Sequence, residues 1–426
     1  TQNFTTATDS YNTAVGYDAG VSVTTGDSNT LIGGLAGDAL TIGKNSVAVG
    51  KGALGSDVAG KESVAVGNGA LFAQNFTTAT NSFNVAVGSD AGVAITTGVQ
   101  NTLIGGLAGD ALTDADYNIA VGYLALSTDT LGSQSVAIGR NALGSQNFTT
   151  ATQVNNTAVG YQAGESIQTG KNNTLMGSFC ADSLGIGEEN VAVGVGALGA
   201  ASADSRNTAI GYASLGSQVN GNFGGNTVNA TNTAVGYNSG GSITTGIYNT
   251  IMGGIAGDAL TLGRDNVVVG YGALTTDDVG SRNVAIGIYA LQNQNAPGSE
   301  VNTIRNVAVG YDAGGAITTG YYNTFVGYEA GNNLQTGNSN VAVGHLSKTD
   351  NVSRVAAVAL GASVNTHAAD SSFRVMGTGG VYNTGNTSAW NQTSDERIKK
   401  NIADSTIGLA EINQIKVRTF EYRTAE

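Results

Sequence analysis

One pair of side chains has the residue types of a nucleophile and its base. Ser394 opens the segment SDERIKKNI, and Lys399 belongs to the same segment. A serine hydroxyl is a weak nucleophile until a base removes its proton, and a lysine of lowered pKa can be that base. The pair is therefore the one catalytic candidate of the chain. The structural alternative is a serine that caps the N-terminus of a helix with a charged first turn.

The rest of the sequence is organised by a five-residue phrase that ends in glycine and first occurs as NTAVG at 12–16. We call its closing residue the marker glycine. Twenty copies occur in groups of four, with a marker at every seventeenth position within a group, and the first three groups begin at equal intervals. The markers are Gly16, Gly33, Gly50, Gly67, Gly88, Gly105, Gly122, Gly139, Gly160, Gly177, Gly194, Gly211, Gly236, Gly253, Gly270, Gly287, Gly310, Gly327, Gly344 and Gly361. This fixed period predicts a stack of equivalent structural units.

The phrase itself predicts a short buried strand. The residue before the marker is aliphatic or Met in all twenty copies, and the residue three before it is always Thr, Val or Ile, types that favour strands. The residue two before the marker points to the opposite face and is usually Ala, or a bulkier residue such as Leu31 in the second copy of each group. Since both faces are apolar, we expect the strand to be buried on both faces.

This period is too short for a βαβ unit, which takes about 30 residues. It can hold one rung of a β-solenoid, with the marker phrase as one wall and a segment such as 21–25 as the other. Sixteen of the residues four before the marker are Asn, and Asn can stack as a ladder in successive rungs. The predicted fold is therefore all-β, a parallel β-roll or β-solenoid of about 20 rungs.

Several motifs that could indicate a cofactor or a metal are explained by this repeat. Gly50–Gly55 and Gly194–Gly199 fit the dinucleotide-binding pattern GxGxxG, but both fall at rung corners without a βαβ unit. Asp38, Asp110 and Asp258 recur in the sequence GDAL, yet they lie at least four rungs apart, too far to share a calcium ion. A calcium site between chains is the one remaining route. We expect no cofactor and no metal.

Single residues with reactive side chains also favour structural explanations. Cys180 lies three residues after a marker, where fifteen copies have Ala, which indicates a small buried residue in a tight corner. His345 and His367 have no metal partner or nucleophile near them in the sequence. Four tyrosines follow the marker in the first rung of a group, and we expect packing or chain–chain contacts rather than sugar platforms: Tyr17, Tyr161, Tyr237 and Tyr311.

Composition and charge exclude several classes of function. The net charge of −13 disfavours nucleic acid and anionic membranes, because phosphate binding needs clustered Lys and Arg. No apolar run is long enough to span a bilayer, so no membrane insertion is expected. Glycine accounts for 64 residues but proline for one, which excludes collagen. The surface must then consist largely of Asn, Thr, Ser and Gly, which suits a slender fibre.

The chain divides into three predicted regions. Residues 1–361 form the repetitive shaft, 362–393 a short β connector, and 394–426 a segment with six of the 18 Lys and Arg but one of the 64 Gly. A longer segment follows each of the first four groups of rungs and is either a lateral protrusion or a stabilising flap: 74–83, 146–155, 218–231 and 292–305. Because the chain begins directly in a repeat, we expect it to be part of a longer protein with an N-terminal region.

The final region resembles the C-terminal intramolecular chaperone of phage tailspikes and tail fibres, the endosialidase type. The likeness covers positions 394–426 and rests on Ser394, Asp395, Arg397 and Lys399, then an Asn-Ile pair and a strand at 417–422 after a short helix. The family domain trimerises, guides folding of the preceding fibre and cuts itself off. The resemblance implies that Ser394 attacks the adjoining peptide bond, that Lys399 activates it, and that Asp395 and Arg397 support the site. This region would be the incomplete start of the α+β chaperone domain.

The repeat has a resemblance of its own. Runs such as SVAVGKGAL at 46–54 look like the left-handed parallel β-roll in the heads of trimeric autotransporter adhesins, over roughly positions 10–365. This likeness implies a trimer of rolls. Together the two resemblances predict a homotrimeric tail fibre on a phage virion, which contacts a host cell-surface receptor such as a saccharide. Other virion tail proteins would bind through the N-terminal region.

Two alternatives remain beside the tail fibre. A bacterial trimeric surface adhesin shares the roll, but SDERIKKNI stands where its stalk should continue towards a membrane anchor. A polysaccharide-degrading tailspike would need paired carboxylates in a groove, and the rungs supply no convincing pair. Because similar rungs specify strand register weakly, a C-terminal domain that holds three chains level would prevent out-of-step pairing.

Overall fold

The repeat folds as a long stack of short parallel strands. The computed structural model describes residues 9–219, 228–295, 297–298, 302–349, 351–366, 370–375 and 382–383. Every regular element among these residues is a strand, and no helix occurs among them. The predicted fold class is confirmed: the chain is an all-β parallel β-solenoid of about 20 turns with a 17-residue period.

The twenty marker phrases build one continuous sheet, which we call the wall. Each strand consists of the three residues before the marker and pairs in parallel and in register with the next copy, Thr13 with Thr30 and Ala14 with Leu31. The wall strands are Thr13–Val15, Thr30–Ile32, Val47–Val49, Val64–Val66, Val85–Val87, Thr102–Ile104, Ile119–Val121, Val136–Ile138, Thr157–Val159, Thr174–Met176, Val191–Val193, Thr208–Ile210, Thr233–Val235, Thr250–Met252, Val267–Val269, Val284–Ile286, Val307–Val309, Thr324–Val326, Val341–Val343 and Val358–Leu360. Phe373–Val375 then extends the wall in parallel, and Tyr382–Asn383 pairs with it antiparallel.

The remainder of each rung is made of turns and bends. The prediction of a second strand at 21–25 is wrong, because these residues form turns and a bend. Hydrogen bonds still join them to the next rung, as from the Thr24 N–H to the Thr41 carbonyl at 2.9 Å. Among the described residues, short strands occur here only beside the longer segments and at the end of the last group: Gly60–Lys61 with Thr80–Asn81, Gly132–Ser133 with Thr152–Gln153, Asp204–Ser205 with Val228–Asn229, Gly280–Ser281 with Asn302–Thr303, and Lys348–Thr349 with Asn365–Thr366.

The marker glycine ends each wall strand in a conformation that other residues avoid. Gly160 has φ 143°, and all twenty markers lie between 126° and 144°. A Cβ atom on Gly160 would also overlap the carbonyl oxygen of Gly177 in the next rung. Conformation and close approach together therefore require glycine at this position.

The narrow core explains why the repeat has groups of four rungs. The second rung of a group carries a bulky residue two before its marker, and Leu103 is fully buried there. Its side chain fills the space left by Gly92 and Gly109, whose added Cβ atoms would come within 2.6 and 2.8 Å of it. In the third and fourth rungs the arrangement is reversed, with Ala120 at the wall and Leu126 at the corner. Large and small residues thus alternate to fill the core.

The predicted asparagine ladder is confirmed. Asn173 Nδ2 donates to the Gly187 carbonyl at 3.0 Å, and Asn173 Oδ1 accepts the Asn190 N–H at 3.0 Å. Both bonds recur at 14 of the 16 asparagines four residues before a marker, and the column ends where Asn340 Oδ1 accepts the Ala357 N–H at 2.9 Å. The ladder satisfies backbone groups that the narrow interior hides from water.

The first longer segment is a stabilising flap rather than a free protrusion. Phe76 is buried and its carbonyl accepts the Ala59 N–H at 2.8 Å. Asp57 Oδ1 accepts the Phe76 N–H at 3.1 Å, and Asp57 Oδ2 accepts from Gln74 Nε2 at 2.6 Å. Burial raises the pKa of the Asp57 carboxyl, while these hydrogen bonds act to lower it. The longest exposed run of the flap is its tip, residues 77–79.

Gln74 joins this flap to the asparagine ladder. Its Nε2 also donates to Ser63 Oγ at 2.9 Å, and its Oε1 accepts from Asn84 Nδ2 at 2.9 Å. The second flap repeats the arrangement, with Gln146 Nε2 donating to Asp129 at 2.6 Å. A buried glutamine therefore anchors these longer segments to the body of the solenoid.

Candidate association surface

The catalytic residues predicted from sequence lie outside the described residues. Ser394 and Lys399, with the supporting Asp395 and Arg397, all fall beyond residue 383. The Ser-Lys cleavage site therefore stays a prediction. The described part of the chain offers a different candidate site, which is the outer face of the wall.

The outer side of the wall strands is half-buried to exposed along the whole solenoid, with 15 of its forty side chains exposed and none fully buried. From the second rung onwards, the residue two before each marker faces the core and is buried. The residues one and three before the marker point outwards. Val15 is 58% exposed and Met176 50% exposed. The prediction that the strand is buried on both faces is therefore wrong for one chain. We call these two outward columns the apolar strip.

The apolar strip is large for a soluble chain. All forty of its side chains are aliphatic, Met or Thr, and none is charged. With rungs about 4.8 Å apart and the two columns about 7 Å apart, the strip is on the order of 100 Å long and 1,000 Å² in area. Soluble monomers rarely expose a contiguous apolar patch of more than a few hundred Å², and larger patches mark interaction sites.

Two edge columns flank the strip. The leading edge consists of the residues five before each marker, and the trailing edge of the residues directly after each marker. Twelve of the chain's 16 tyrosines lie on these two columns, and tyrosine is enriched in protein interfaces. They are Tyr11, Tyr117, Tyr248 and Tyr322 on the leading edge, and Tyr17, Tyr123, Tyr161, Tyr212, Tyr237, Tyr271, Tyr311 and Tyr328 on the trailing edge. We call the strip and both edges together the wall face.

The leading edge is presented by a left-handed turn. All twenty of its residues have positive φ, from 45° at Tyr11 to 65° at Gln134, and none of them is glycine. Such residues carry a conformational cost of about 1–2 kcal/mol each. The turn brings the chain into the wall and leaves the side chain outside, as at Tyr248, which is 53% exposed.

The wall face carries little of the chain's negative charge. Only three of its 31 acidic residues lie there, Glu62, Glu189 and Asp265, against five cationic residues. Two of the arginines pair with acids of the preceding rung, Arg206 with Glu189 at 2.8 Å and Arg282 with Asp265 at 3.5 Å. Among the described residues, 20 acidic and seven cationic side chains lie outside the wall face, so the excess negative charge of this part of the chain lies there. The five cations are Lys51, Arg140, Arg206, Arg282 and Arg305.

Aromatic side chains stack along the trailing edge. Tyr311 lies between Tyr328, stacked at 5.3 Å, and Tyr289, in edge contact at 6.2 Å, and His345 continues the stack against Tyr328 at 5.3 Å. A sugar ring would need a free aromatic face, and the stacked faces are already covered by neighbouring rings. This arrangement favours packing or association over a sugar platform.

The remaining motifs are accounted for by the fold. Gly50–Gly55 and Gly194–Gly199 lie in turns at rung corners. Burial raises the pKa of the Cys180 thiol to about 12, so this buried cysteine is a packing residue. His367 lies outside the described residues.

The GDAL aspartates do not come together into a group of metal-ligating side chains within one chain. Asp110 and Asp258 each have one buried carboxylate oxygen without a hydrogen-bond partner, and burial raises the pKa of both. The described ranges contain no group of three or more His, Cys, Asp or Glu side chains arranged to hold a metal ion.

The sequence pattern pointed to the trailing-edge tyrosines only in the first rung of each group, and the leading edge was missed. The signal was present in the same repeat, because Tyr11, Tyr117, Tyr248 and Tyr322 all stand five residues before a marker. Residues an even number of positions apart along a strand point to the same face. The residue five before the marker therefore shares a face with the residues one and three before it.

No protein-family model matches the chain, and no curated protein is significantly similar to it. Among the described residues, no helix is long and apolar enough to cross a membrane.

Proposed function

We propose that this protein is a structural and adhesive fibre in which three copies of the solenoid associate through the wall face. The observation that carries the proposal is the uncharged apolar strip on the outside of all twenty rungs. A stable interface takes about 20–30 residues from each partner, and the strip alone offers forty. A strip of this length needs an equally long rod to cover it, and a second copy of the chain is such a rod.

The charge distribution supports association between copies. A chain of net charge −13 would repel its own copy if the acidic sides came together. The wall face is the side on which cationic residues outnumber acidic ones. Burying this face against other copies leaves the acidic sides in water, where they keep the fibre soluble.

The proposed setting is a phage virion, with the fibre as a tail component that contacts a receptor on the host surface. The support for this part is the likeness of 394–402 to the endosialidase-type chaperone, together with an elongated rigid shaft. In this proposal the C-terminal domain holds three chains level, so that similar rungs cannot pair out of step. The N-terminal region would connect the fibre to other tail proteins.

Association is tested by the molar mass in solution, measured by light scattering. We expect three times the chain mass of 42.6 kDa. Ile104→Glu places a charge in the strip, where each copy would bury it, and should shift the mass towards one chain. Ile42→Glu is the matched control, because Ile42 is 38% exposed and Ile104 40% exposed, but Ile42 lies on another side of the rung. A wild-type monomer would contradict the proposal.

The self-cleavage part needs a separate experiment on a precursor extended beyond Glu426. The wild-type precursor should be cut once, between Thr393 and Ser394, and the Ser394→Ala and Lys399→Ala precursors should stay intact on a denaturing gel. Equal masses for wild type and Ser394→Ala would exclude cleavage by this serine. Adhesion is measured in a separate experiment, as the amount of purified fibre that host cells retain.

A further inference from the structure

The wall face has two chemically different edges, and this difference determines how copies can meet. In a closed ring of parallel copies, the leading edge of one copy faces the trailing edge of the next. We propose that these unlike edges form the contact between neighbouring copies, at the same height along the fibre. The inference rests on the proposed three-chain fibre and adds which residues meet. In this arrangement the trailing-edge tyrosines contact a neighbouring copy and do not bind the receptor.

The residues that would meet are complementary in kind. At equal height, Arg206 faces Tyr212 of the next copy, and Arg305 faces Tyr311 in the same way. An arginine can donate a hydrogen bond to the hydroxyl at the edge of a tyrosine ring, and the chain already uses this contact within itself, with Arg140 Nη1 donating to the Tyr161 hydroxyl at 3.0 Å.

Size and charge are also compatible at equal height. Tyr248, bulky and 53% exposed, would face Gly254, which leaves space for its ring. No rung carries a charged residue on both edges, so level pairing creates no like-charge contact. An antiparallel pair would instead bring each edge against its own counterpart, with tyrosine columns opposite each other and arginines together.

Cysteine pairs test this contact directly. The variant Arg206→Cys/Tyr212→Cys, made with Cys180→Ala to remove the native thiol, places one cysteine on each edge of the same rung. Both native side chains are exposed, and Tyr212 is 56% exposed. A disulfide needs Cα atoms about 4.4–6.8 Å apart, so oxidation should link neighbours and produce a covalent trimer on a non-reducing denaturing gel. Each single-cysteine variant should stay at the mass of one chain.

A second cysteine pair tests whether neighbouring copies lie at the same height along the fibre. Arg206→Cys/Ile288→Cys places the cysteines four rungs apart, about 19 Å along the fibre, and should give no covalent trimer. A covalent trimer from this pair would show copies displaced by one group of rungs and would contradict level pairing. Dimers from a single-cysteine variant would contradict it too, since they require like edges to meet.

The outcomes separate this inference from the proposed function. If light scattering gives three chains but the Arg206/Tyr212 cysteine pair does not link, the edges do not meet and the inference fails, while the fibre proposal stands. If light scattering gives one chain, the proposed function itself fails. Circular dichroism of each variant verifies that the solenoid is folded, and Arg305→Cys/Tyr311→Cys repeats the test five rungs further along.

Discussion

At the scale of single residues, two recurring positions constrain the rung: the marker glycine in all twenty rungs, and the asparagine four residues before it in sixteen of them. The marker glycine combines a φ of 135° with contact to the carbonyl of the next rung, as at Gly33. The buried Asn four residues earlier supplies both a donor and an acceptor, so it satisfies backbone groups of the next rung. A unit as short as one rung has little apolar core, and these satisfied polar groups are therefore central to its stability.

Replacing one ladder residue should destabilise the solenoid locally. Asn173→Ala leaves the Asn190 N–H and the Gly187 carbonyl without the Asn173 side chain as partner, and both residues are buried. We expect a loss of about 2–4 kcal/mol, since each buried unsatisfied group costs about 1–3 kcal/mol. Urea unfolding followed by circular dichroism measures this loss.

Asn75→Ala is the matched control, because Asn75 is exposed and lies outside the wall face. Asn173→Ser should be intermediate, since Ser46 and Ser63 occupy the same column in other rungs. An Asn173→Ala protein as stable as the Asn75→Ala protein would show that the ladder does not stabilise the fold.

At the scale of elements, the longer segments are joined to the body by buried polar contacts rather than by extended strands. The first flap has paired strands of only two residues, Gly60–Lys61 and Thr80–Asn81. Its packing instead depends on Gln74, which contacts Asp57, Ser63 and Asn84. The flap is therefore part of the rung and closes the side of the solenoid.

Gln74→Ala should release this flap. The change leaves the Asp57 carboxylate and the Asn84 amide without their buried partner, at a cost of about 2–4 kcal/mol. Hydrogen exchange read by mass spectrometry should become faster in peptides covering 74–83. Thr78→Ala, at the exposed tip, should leave exchange unchanged, and equal exchange in both variants would mean that Gln74 is not the anchor.

At the scale of the whole molecule, the unit of repetition is the group of four rungs and not the single rung. The bulky Leu103 lies between the corner glycines Gly92 and Gly109, whereas the preceding group ends with the buried Leu71 at the equivalent corner. Neighbouring rungs are therefore not interchangeable, although their wall strands look alike.

Deleting a complete group should be tolerated better than deleting a single rung. Removal of 86–157 takes out one whole group and joins equivalent strand positions, so the rod should fold with the same circular dichroism and be about 19 Å shorter. Removal of 86–102 takes out one rung and places Leu103 against Leu71, which overpacks the core by about 1–3 kcal/mol.

Thermal unfolding and small-angle X-ray scattering would compare the two deletions. The deletion of a whole group should keep the transition temperature of the parent chain, and the deletion of one rung should lower it. Equal transition temperatures would show that the four-rung packing pattern has no effect on stability.

Local signals in the amino-acid sequence were enough to predict the period and the wall strands. Twenty markers at fixed spacing allow one parallel alignment, and the Asn column predicted the ladder, because both signals are local and repeat in every rung. Strand alternation also places the residues of the wall face on one side of the strand, including Tyr248 and the other tyrosines of the leading edge.

The outer side of the wall could be recognised only in the closed rung. Val15 and Ala14 are both apolar, so alternation separates their faces but does not say which one the solenoid encloses. That depends on how the turns after the marker close the rung, and those turns use left-handed residues without a distinctive sequence. The anchoring of the flap by Gln74 was likewise invisible, because Asp57, Ser63 and Asn84 meet it only after the rungs have stacked.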